Sequence, residues 1–180
     1  MFRFLILSAL FAFSTAAYNK LELTNCGGDG IRINEIDIQP MPIKFPGSLK
    51  VLIDADLTKA VKGPIKVDVD MRQGWWFGWV PAPCMTISGV KVGSCTYDDI
   101  CVLMEPLREK GCPAEMQQLD IGCTCPFKPS HVRFEMADIV LPKIPTGLGY
   151  FASGDYKVTA KMYEGGALVS CFEAKVSLGA

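Results

Sequence analysis

Three pairs of aspartates are the first candidates for chemistry, because two neighbouring carboxylates could act as the acid and the base of a hydrolase. The pairs are Asp54 with Asp56, Asp68 with Asp70, and Asp98 with Asp99. The first two pairs alternate with other residues along apparent strands and therefore share a solvent face, whereas the third suits the first turn of a helix. We expect solvated or capping carboxylates here, not a catalytic pair.

A histidine-dependent mechanism would rest on His131, the only histidine, which follows a proline turn in KPSHVRFE. The chain has no G-x-S-x-G motif, and a single histidine without partners does not define a triad. The aspartates of DADL and GGDG are too few for a calcium loop. The sequence therefore predicts that the protein is not an enzyme and has no metal or cofactor site.

The cysteines point to disulfide chemistry. An even number of them in an exported chain implies four bridges, and zinc is disfavoured because thiolate ligands suit a reducing compartment. Two cysteines that stand two residues apart, Cys123 and Cys125, are expected to bond different partners. A bond between Cys26 and Cys171 would tie the two ends together, but spacing alone leaves the connectivity open. The eight are Cys26, Cys84, Cys95, Cys101, Cys112, Cys123, Cys125 and Cys171.

Residues 1–17, MFRFLILSALFAFSTAA, have the features of a secretory signal peptide cleaved after Ala17. Their apolar run is too short to cross about 30 Å of hydrocarbon. Residues 18–180 are expected to form one domain in a secreted or lysosomal location. A net charge of −1 without a basic stripe argues against a nucleic-acid partner. The absence of an N-x-S/T sequon makes delivery by a glycan tag doubtful.

Alternating apolar residues predict an all-β domain, an antiparallel sandwich or barrel. The pattern is clear in IRINEIDIQP, SLKVLIDADL, GPIKVDVDM, GDYKVTAKMYE and ALVSCFEAKVSL, which are separated by proline and glycine. One helix is predicted in TYDDICVLMEPL, capped by Thr96 with Asp99 three residues later. It should end near Glu105, because Pro106 opposes its continuation.

An aromatic cluster, Trp75, Trp76, Phe77 and Trp79, lies between glycines and prolines in GWWFGWVPAPC. In a continuous strand three of these side chains would point to one side and Trp76 to the other, so one core face cannot hold them all. The surrounding glycines and prolines favour an irregular loop. An exposed apolar patch of this size needs a use, either a membrane interface, which suits tryptophan, or a protein partner.

The chain resembles the MD-2-related lipid-recognition family over nearly all of residues 18–180. The likeness lies in NCGG, IDIQPMPIKFPGSLKV, GPIKVDVDM, GSCTYDDIC, GCPA, IGCTCPFK, LPKIPTG and SGDYKV. It implies an immunoglobulin-like β-sandwich shaped as a cup, with an internal apolar lipid cavity and apolar loops at its mouth. It also implies four disulfides, Cys26 with Cys171, Cys84 with Cys95, Cys101 with Cys125, and Cys112 with Cys123.

The resemblance further implies a non-catalytic carrier that extracts a glycosphingolipid, such as a ganglioside, from a membrane and presents it to a soluble lysosomal glycosidase of the hexosaminidase type. The aromatic cluster would then be the membrane-docking and lipid-entry loop. Trp79 matches a tryptophan of the family, and the other three aromatic residues are additional. No cofactor is expected other than bound lipid.

Strand alternation suggests which side chains line the cavity, with ordinary core packing as the alternative. The candidates are Ile36, Ile38, Leu52, Ile65, Val67, Val69, Leu103, Met104, Phe134, Ile139, Tyr150, Phe151, Met162 and Leu168. Two other functions stay open. One is a carrier of a different lipid, such as a sterol or phospholipid, or an immune lipid co-receptor. The other is an immunoglobulin-like interaction module with a filled core.

Overall fold

The computed structural model describes residues 18–87, 90–109, 111, 125–141, 143, 144, 149 and 153–179. Within these residues the chain forms strands and one helix. In order they are β1 (Glu22–Gly27), β2 (Ile31–Gln39), β3 (Ile43–Lys44), β4 (Gly47–Leu57), β5 (Ile65–Trp75), β6 (Gly78–Pro81), β7 (Met85–Ile87), β8 (Val90–Val92), β9 (Thr96–Tyr97), α1 (Ile100–Glu109), β10 (Ser130–Leu141), β11 (Gly154–Glu164) and β12 (Ala167–Gly179).

The strands form two main sheets, and the predicted all-β antiparallel sandwich is confirmed. The larger sheet has the order β1-β12-β11-β5-β6, with β9 beside β5 and β3 beside β12. The smaller sheet has the order β10-β4-β2, and β7 pairs with β8 as a separate hairpin. Every strand pair in the described residues is antiparallel except β3 with β12.

Each sheet has one apolar and one charged face, because side chains alternate along a strand. In the larger sheet, Met71 lies opposite Val158 and Val69 opposite Ala160 on the apolar face. On its other face Asp68 bonds Lys66 at 3.0 Å. Asp70 there receives two hydrogen bonds from the Arg72 guanidinium, and Thr96 Oγ1 donates to Asp68 at 2.8 Å. These two aspartates are held in local polar pairs.

The smaller sheet repeats this division and corrects one predicted cavity residue. Ile53 lies opposite Ile36 and Phe134 on the apolar face. Leu52 lies opposite Asp37 and Glu135 on the charged face. Assigning Leu52 to the cavity was therefore wrong. Val51, Leu52 and Ile53 are all apolar, so the alternation of apolar and polar residues does not show which face each one occupies.

The helix begins later and ends later than predicted. Asp99, not Thr96, caps it: the Asp99 carboxylate accepts hydrogen bonds from the Cys101 amide at 2.9 Å and from the Ile65 amide at 3.1 Å. Thr96 belongs to β9. The helix continues past Pro106 to Glu109, because a proline biases the residue before it away from helix without forbidding it.

The described residues contain three disulfides, and each has the pairing that the family resemblance implied. Cys26 bonds Cys171 and joins β1 to β12, Cys84 bonds Cys95, and Cys101 bonds Cys125. The predicted bond between Cys112 and Cys123 lies outside the described residues. Gly63 fits closely beside the third bridge: a Cβ atom there would lie 2.9 Å from Cys101 Sγ, and its φ of +88° already favours glycine.

The two ends of the sandwich differ. At the end that we call the Val61 end, Val61 exchanges backbone hydrogen bonds of 3.0 and 2.8 Å with Phe127, near the start of β5 and of β10. At the opposite end, which we call the hairpin end, β5 turns into β6. β5 runs the full distance between them, from Ile65 to Trp75. The aromatic cluster therefore lies at the end of an interior strand of the larger sheet.

Candidate functional site

The aromatic cluster forms a tight β-hairpin, so the predicted irregular loop was wrong. Trp75 pairs with Gly78, which leaves Trp76 and Phe77 as a two-residue turn. Gly78 has a φ of +128°, a backbone conformation open to glycine, and nothing lies within 4 Å of the position where a side chain would begin. Glycine at 78 allows two bulky aromatic residues to occupy the turn itself.

The turn places the two flanking tryptophans, Trp75 and Trp79, on opposite faces of the sheet. Trp75 lies on the face of Gln73, the apolar face of the sheet, while Trp79 lies opposite Gly74 on the charged face. There the Lys157 Nζ atom is 5.6 Å from the centre of the Trp79 ring, within cation–π range. The two indoles lie on opposite faces because the alternation of a strand does not continue through a turn.

All four aromatic side chains are exposed. The exposed fraction is 90% for Trp76, 62% for Phe77, 43% for Trp75 and 36% for Trp79. The Phe77 ring stacks on Trp75 with centres 6.1 Å apart and meets the edge of Trp76 at 5.1 Å. The hairpin tip is therefore a continuous aromatic surface that faces solvent.

A cavity of about 220 Å³ lies beneath this hairpin, lined by Gln73, Trp75, Phe77 and the residues 80–83. These residues include no charged side chain. Gln73 contributes the one amide side chain, which is 7% exposed and whose Nε2 donates to the Ser153 carbonyl at 3.0 Å. The cavity is thus apolar, with a polar group in a fixed position.

Between the two ends of the sandwich, the apolar faces are only half-buried. The fully buried Ile65 and Tyr156 lie near opposite ends of the larger sheet. Between them lies a set of half-buried side chains that we call the middle strip. It consists of Val67, Val69, Met71, Val158, Ala160 and Met162 in the larger sheet, and Ile36, Ile38, Val51, Ile53, Phe134 and Met136 in the smaller sheet.

In a filled sandwich, inward-facing valine, isoleucine and phenylalanine at the centre of the strands would be expected to be fully buried. The side chains of the middle strip are instead partly exposed in both sheets. Six of its members were not among the sequence candidates. They are Val51, Ile53, Met71, Met136, Val158 and Ala160, and continuing the alternation along each strand would have identified most of them.

The remaining cavity candidates fall elsewhere. Ile65 is fully buried at the Val61 end, and Ile139 follows an irregularity in β10 that brings it opposite Leu49. Met104 is half-buried on α1. Leu103 and Leu168 are 59% and 41% exposed, so their assignment to an enclosed cavity was wrong. The last two candidates, Tyr150 and Phe151, lie outside the described residues.

The charged face of the smaller sheet carries a polar network centred on Asp54, which is only 8% exposed. Its carboxylate accepts hydrogen bonds from Asn34 at 2.9 Å and from Arg133 at 2.6 Å. Asp56 accepts a second bond from Asn34 at 3.0 Å and lies 2.8 Å from His131 Nδ1. Asp54 was expected to be solvated, but the neighbouring strands β2 and β10 cover it, because Arg133 lies directly opposite Asp54 and Asn34 lies beside it at an irregularity of β2.

This network makes the stability of the fold dependent on pH. Hydrogen bonds from Asn34, and then from Arg133, lower the pKa of Asp54. A lowered pKa in the folded state adds stability above about pH 4, the ordinary range of the carboxyl, and that stability is lost as the pH falls through the folded-state value. We expect the urea midpoint to decrease from pH 5 to pH 2.5, and to decrease less in Asp54→Asn.

The exposed Asn19 provides a matched control for the asparagine in this network. Asn34→Ala should flatten the pH dependence in the same way as Asp54→Asn, whereas Asn19→Ala should retain the wild-type profile. Parallel pH profiles for the wild type and both network variants would show that the network does not contribute to acid sensitivity.

Two further findings concern the described residues as a whole. No helix there has the length and apolar character needed to cross a bilayer. No group of three or more histidine, cysteine, aspartate or glutamate side chains there is arranged to hold a metal ion.

The fold and sequence together identify the class. Residues 20–178 match the ML domain, and the chain belongs to the ML domain family. The chain is 27% identical over 158 residues to the ganglioside GM2 activator of Mus musculus, covering 86% of this chain and 79% of that protein. It is 26% identical over 180 residues to the ganglioside GM2 activator of Macaca fascicularis, covering 96% and 92%.

Similar solved structures include a Niemann-Pick type C2 protein from the Japanese carpenter ant and chicken MD-1 complexed with lipid IVa. The first has a TM-score of 0.44 at 14% identity, covering 88% of this chain and 99% of that one. The second has a TM-score of 0.40 at 17% identity, covering 89% and 99%.

Proposed function

We propose that this protein is a lipid carrier that holds hydrocarbon tails between its two sheets. The half-burial of the middle strip carries this proposal, because a space that apolar side chains of both sheets line without filling would leave them partly exposed in this way. A hollow of this kind weakens a fold by about 24 cal/mol for each Å³ of empty volume. The disulfide that joins the two ends of the chain and the disulfide at the helix offset this loss of stability.

The need for such a carrier follows from the cost of moving lipid through water. A ceramide has about 30 methylenes, and at ~0.8 kcal/mol each its transfer from bilayer to water costs on the order of 24 kcal/mol. Spontaneous release is therefore very rare. A protein that replaces the bilayer with an apolar interior removes most of this barrier without performing a chemical reaction of its own.

The exposed hairpin provides contact with the membrane in this proposal. Indole rings combine an apolar body with a polar N–H and favour the headgroup boundary of a bilayer. Trp75, Trp76, Phe77 and Trp79 would enter that boundary and place the hairpin end of the sandwich against the lipid. Lipid could then move between the bilayer and the cup without crossing bulk water.

The similarity to two ganglioside GM2 activators supports glycosphingolipid, and ganglioside in particular, as the cargo. We propose that the sugar headgroup stays outside the cup and is presented to a soluble glycosidase of the hexosaminidase type. We also propose secretion after cleavage at Ala17, with the extracellular space or the lysosomal lumen as the site of action. The carrier needs no cofactor other than the lipid itself.

The direct test is to identify lipid that remains bound to the natively secreted protein, by native mass spectrometry followed by lipid analysis. The expected result is one glycosphingolipid per protein, which exchanges with labelled ganglioside in vesicles. A bound sterol or phospholipid would assign a different cargo to the same carrier. Protein that contains no lipid and takes none from vesicles would overturn the proposal and favour an interaction module.

A further inference from the structure

The four aromatic side chains of the hairpin form two sets with different surroundings. Trp75 and Phe77 line the cavity beneath the hairpin, whereas Trp76, the most exposed residue, and Trp79 are not among its lining residues. Trp79 lies instead on the charged face, over Lys157. Four aromatic side chains that were expected to share one role are thus divided between the lining of a half-open pocket and an outer surface.

We propose that this cavity is a separate entry site that takes one hydrocarbon chain of a membrane lipid before the lipid reaches the middle strip. Trp75 and Phe77 form the wall that the chain contacts, and Trp76 and Trp79 hold the hairpin in the membrane interface. This inference rests on the proposed carrier function and adds to it a first binding site for the lipid chain.

The chemistry of the cavity selects a chain over a headgroup. The pocket has a volume of about 220 Å³ and is half open to solvent, so a hydrocarbon chain can enter it from the hairpin surface. Its lining residues carry no charge to pair with a phosphate or a carboxylate. Proline, valine, alanine and aromatic side chains give a chain dispersion contacts on several sides, and these are the contacts that an empty apolar cavity lacks.

The sheet register separates this cavity from the middle strip. Along β5, Trp75 is followed on the same face by Gln73 and then by Met71. Gln73 lies opposite Tyr156, and both are buried, at 7% and 1% exposure. This buried pair lies between the cavity and the first residues of the strip, Met71 and Val158. A chain in the cavity has therefore left the bilayer but has not entered the cup.

The sequence provides a spectroscopic test, because its three tryptophans are all in the hairpin. Trp76→Phe combined with Trp79→Phe leaves Trp75 as the single fluorophore, and Trp75→Phe combined with Trp79→Phe leaves Trp76. The probe is a lysophosphatidylcholine with bromine atoms on its acyl chain, added below its micelle concentration and without vesicles. Bromine quenches an indole only at close range.

We expect saturable quenching of Trp75 at one lipid per protein, with most Trp76 emission retained. Val80→Phe, which fills the cavity from β6, should weaken the apparent affinity for Trp75 quenching about tenfold. Val102→Phe, on the exposed side of α1, is the matched control and should leave it unchanged. Equal quenching at both positions, quenching at neither, or no effect of Val80→Phe would overturn the entry site.

The entry site and the carrier function have different outcomes in this experiment. If vesicle binding and ganglioside transfer persist while Trp75 is not quenched by the single-chain lipid, the entry site is wrong and the carrier stands. If the protein neither binds vesicles nor transfers lipid, the carrier function itself is wrong.

Discussion

Replacing Trp75, Trp76, Phe77 and Trp79 together with serine is expected to abolish binding to ganglioside-containing liposomes and to leave the fold intact. The four side chains expose on the order of 500 Å² of apolar surface. At ~25 cal/mol per Å², the entry of even a third of this surface into the bilayer contributes about 4 kcal/mol, roughly a thousandfold in partitioning. Liposome cosedimentation measures the loss, and circular dichroism monitors the fold.

A matched control is available at the other end of the molecule. Val102 and Leu103 on α1 are exposed by 57% and 59%, and α1 begins beside Ile65 at the Val61 end. Replacing these two residues with serine also removes exposed apolar surface, but should not change liposome binding. If this pair reduced binding as much as the hairpin replacements, binding would depend on general surface hydrophobicity, and the hairpin would lose its special role.

Loss of the bond between Cys26 and Cys171 is expected to destabilise the protein more than loss of any other described disulfide. The two residues are 145 positions apart, and by loop-closure entropy the bond contributes about 5 kcal/mol. Total stability for a domain is only about 5–15 kcal/mol. Replacing both cysteines with serine should therefore lower the free energy of unfolding, measured by equilibrium guanidinium denaturation, by about a third or more of its original value.

The bond between Cys84 and Cys95 provides the comparison, because its residues are only 11 positions apart. The same loop-closure relation gives it about 3 kcal/mol. Its removal should leave a folded protein with a lower denaturation midpoint. Equal losses for the two pairs would mean that local contacts, and not chain closure, determine what these bridges contribute.

The sequence alone predicted the β-sandwich and an aromatic cluster that one core face cannot hold, because both follow from the local order of apolar and polar residues. Alternation over eight or more residues determines strands almost regardless of neighbours. The disulfide pairing came from the family resemblance, since spacing left it open. The likeness of the stretches around the cysteines, such as GSCTYDDIC and IGCTCPFK, was informative where spacing was not.

The errors at Leu52 and Asp54 share one physical cause, which is that strand register depends on residues far apart in the chain. Leu52 and Ile53 are equally apolar, and only pairing with Asp37 and Glu135 assigns Leu52 to the charged face. Asp54 becomes covered because the register places Arg133 opposite it. None of these partners is near in sequence.

The length of β5 sets how far the helix can lie from a bilayer that binds the hairpin. Eleven residues run without interruption from Ile65 to Trp75, a length of about 35 Å at ~3.3 Å per residue. With the tryptophans at the headgroups, the helix lies roughly that far above the surface, about four times the ~8 Å Debye length in physiological salt. The charge of the lipid headgroups would then act on the hairpin end alone. A soluble enzyme could approach the Val61 end without electrostatic interference from the membrane.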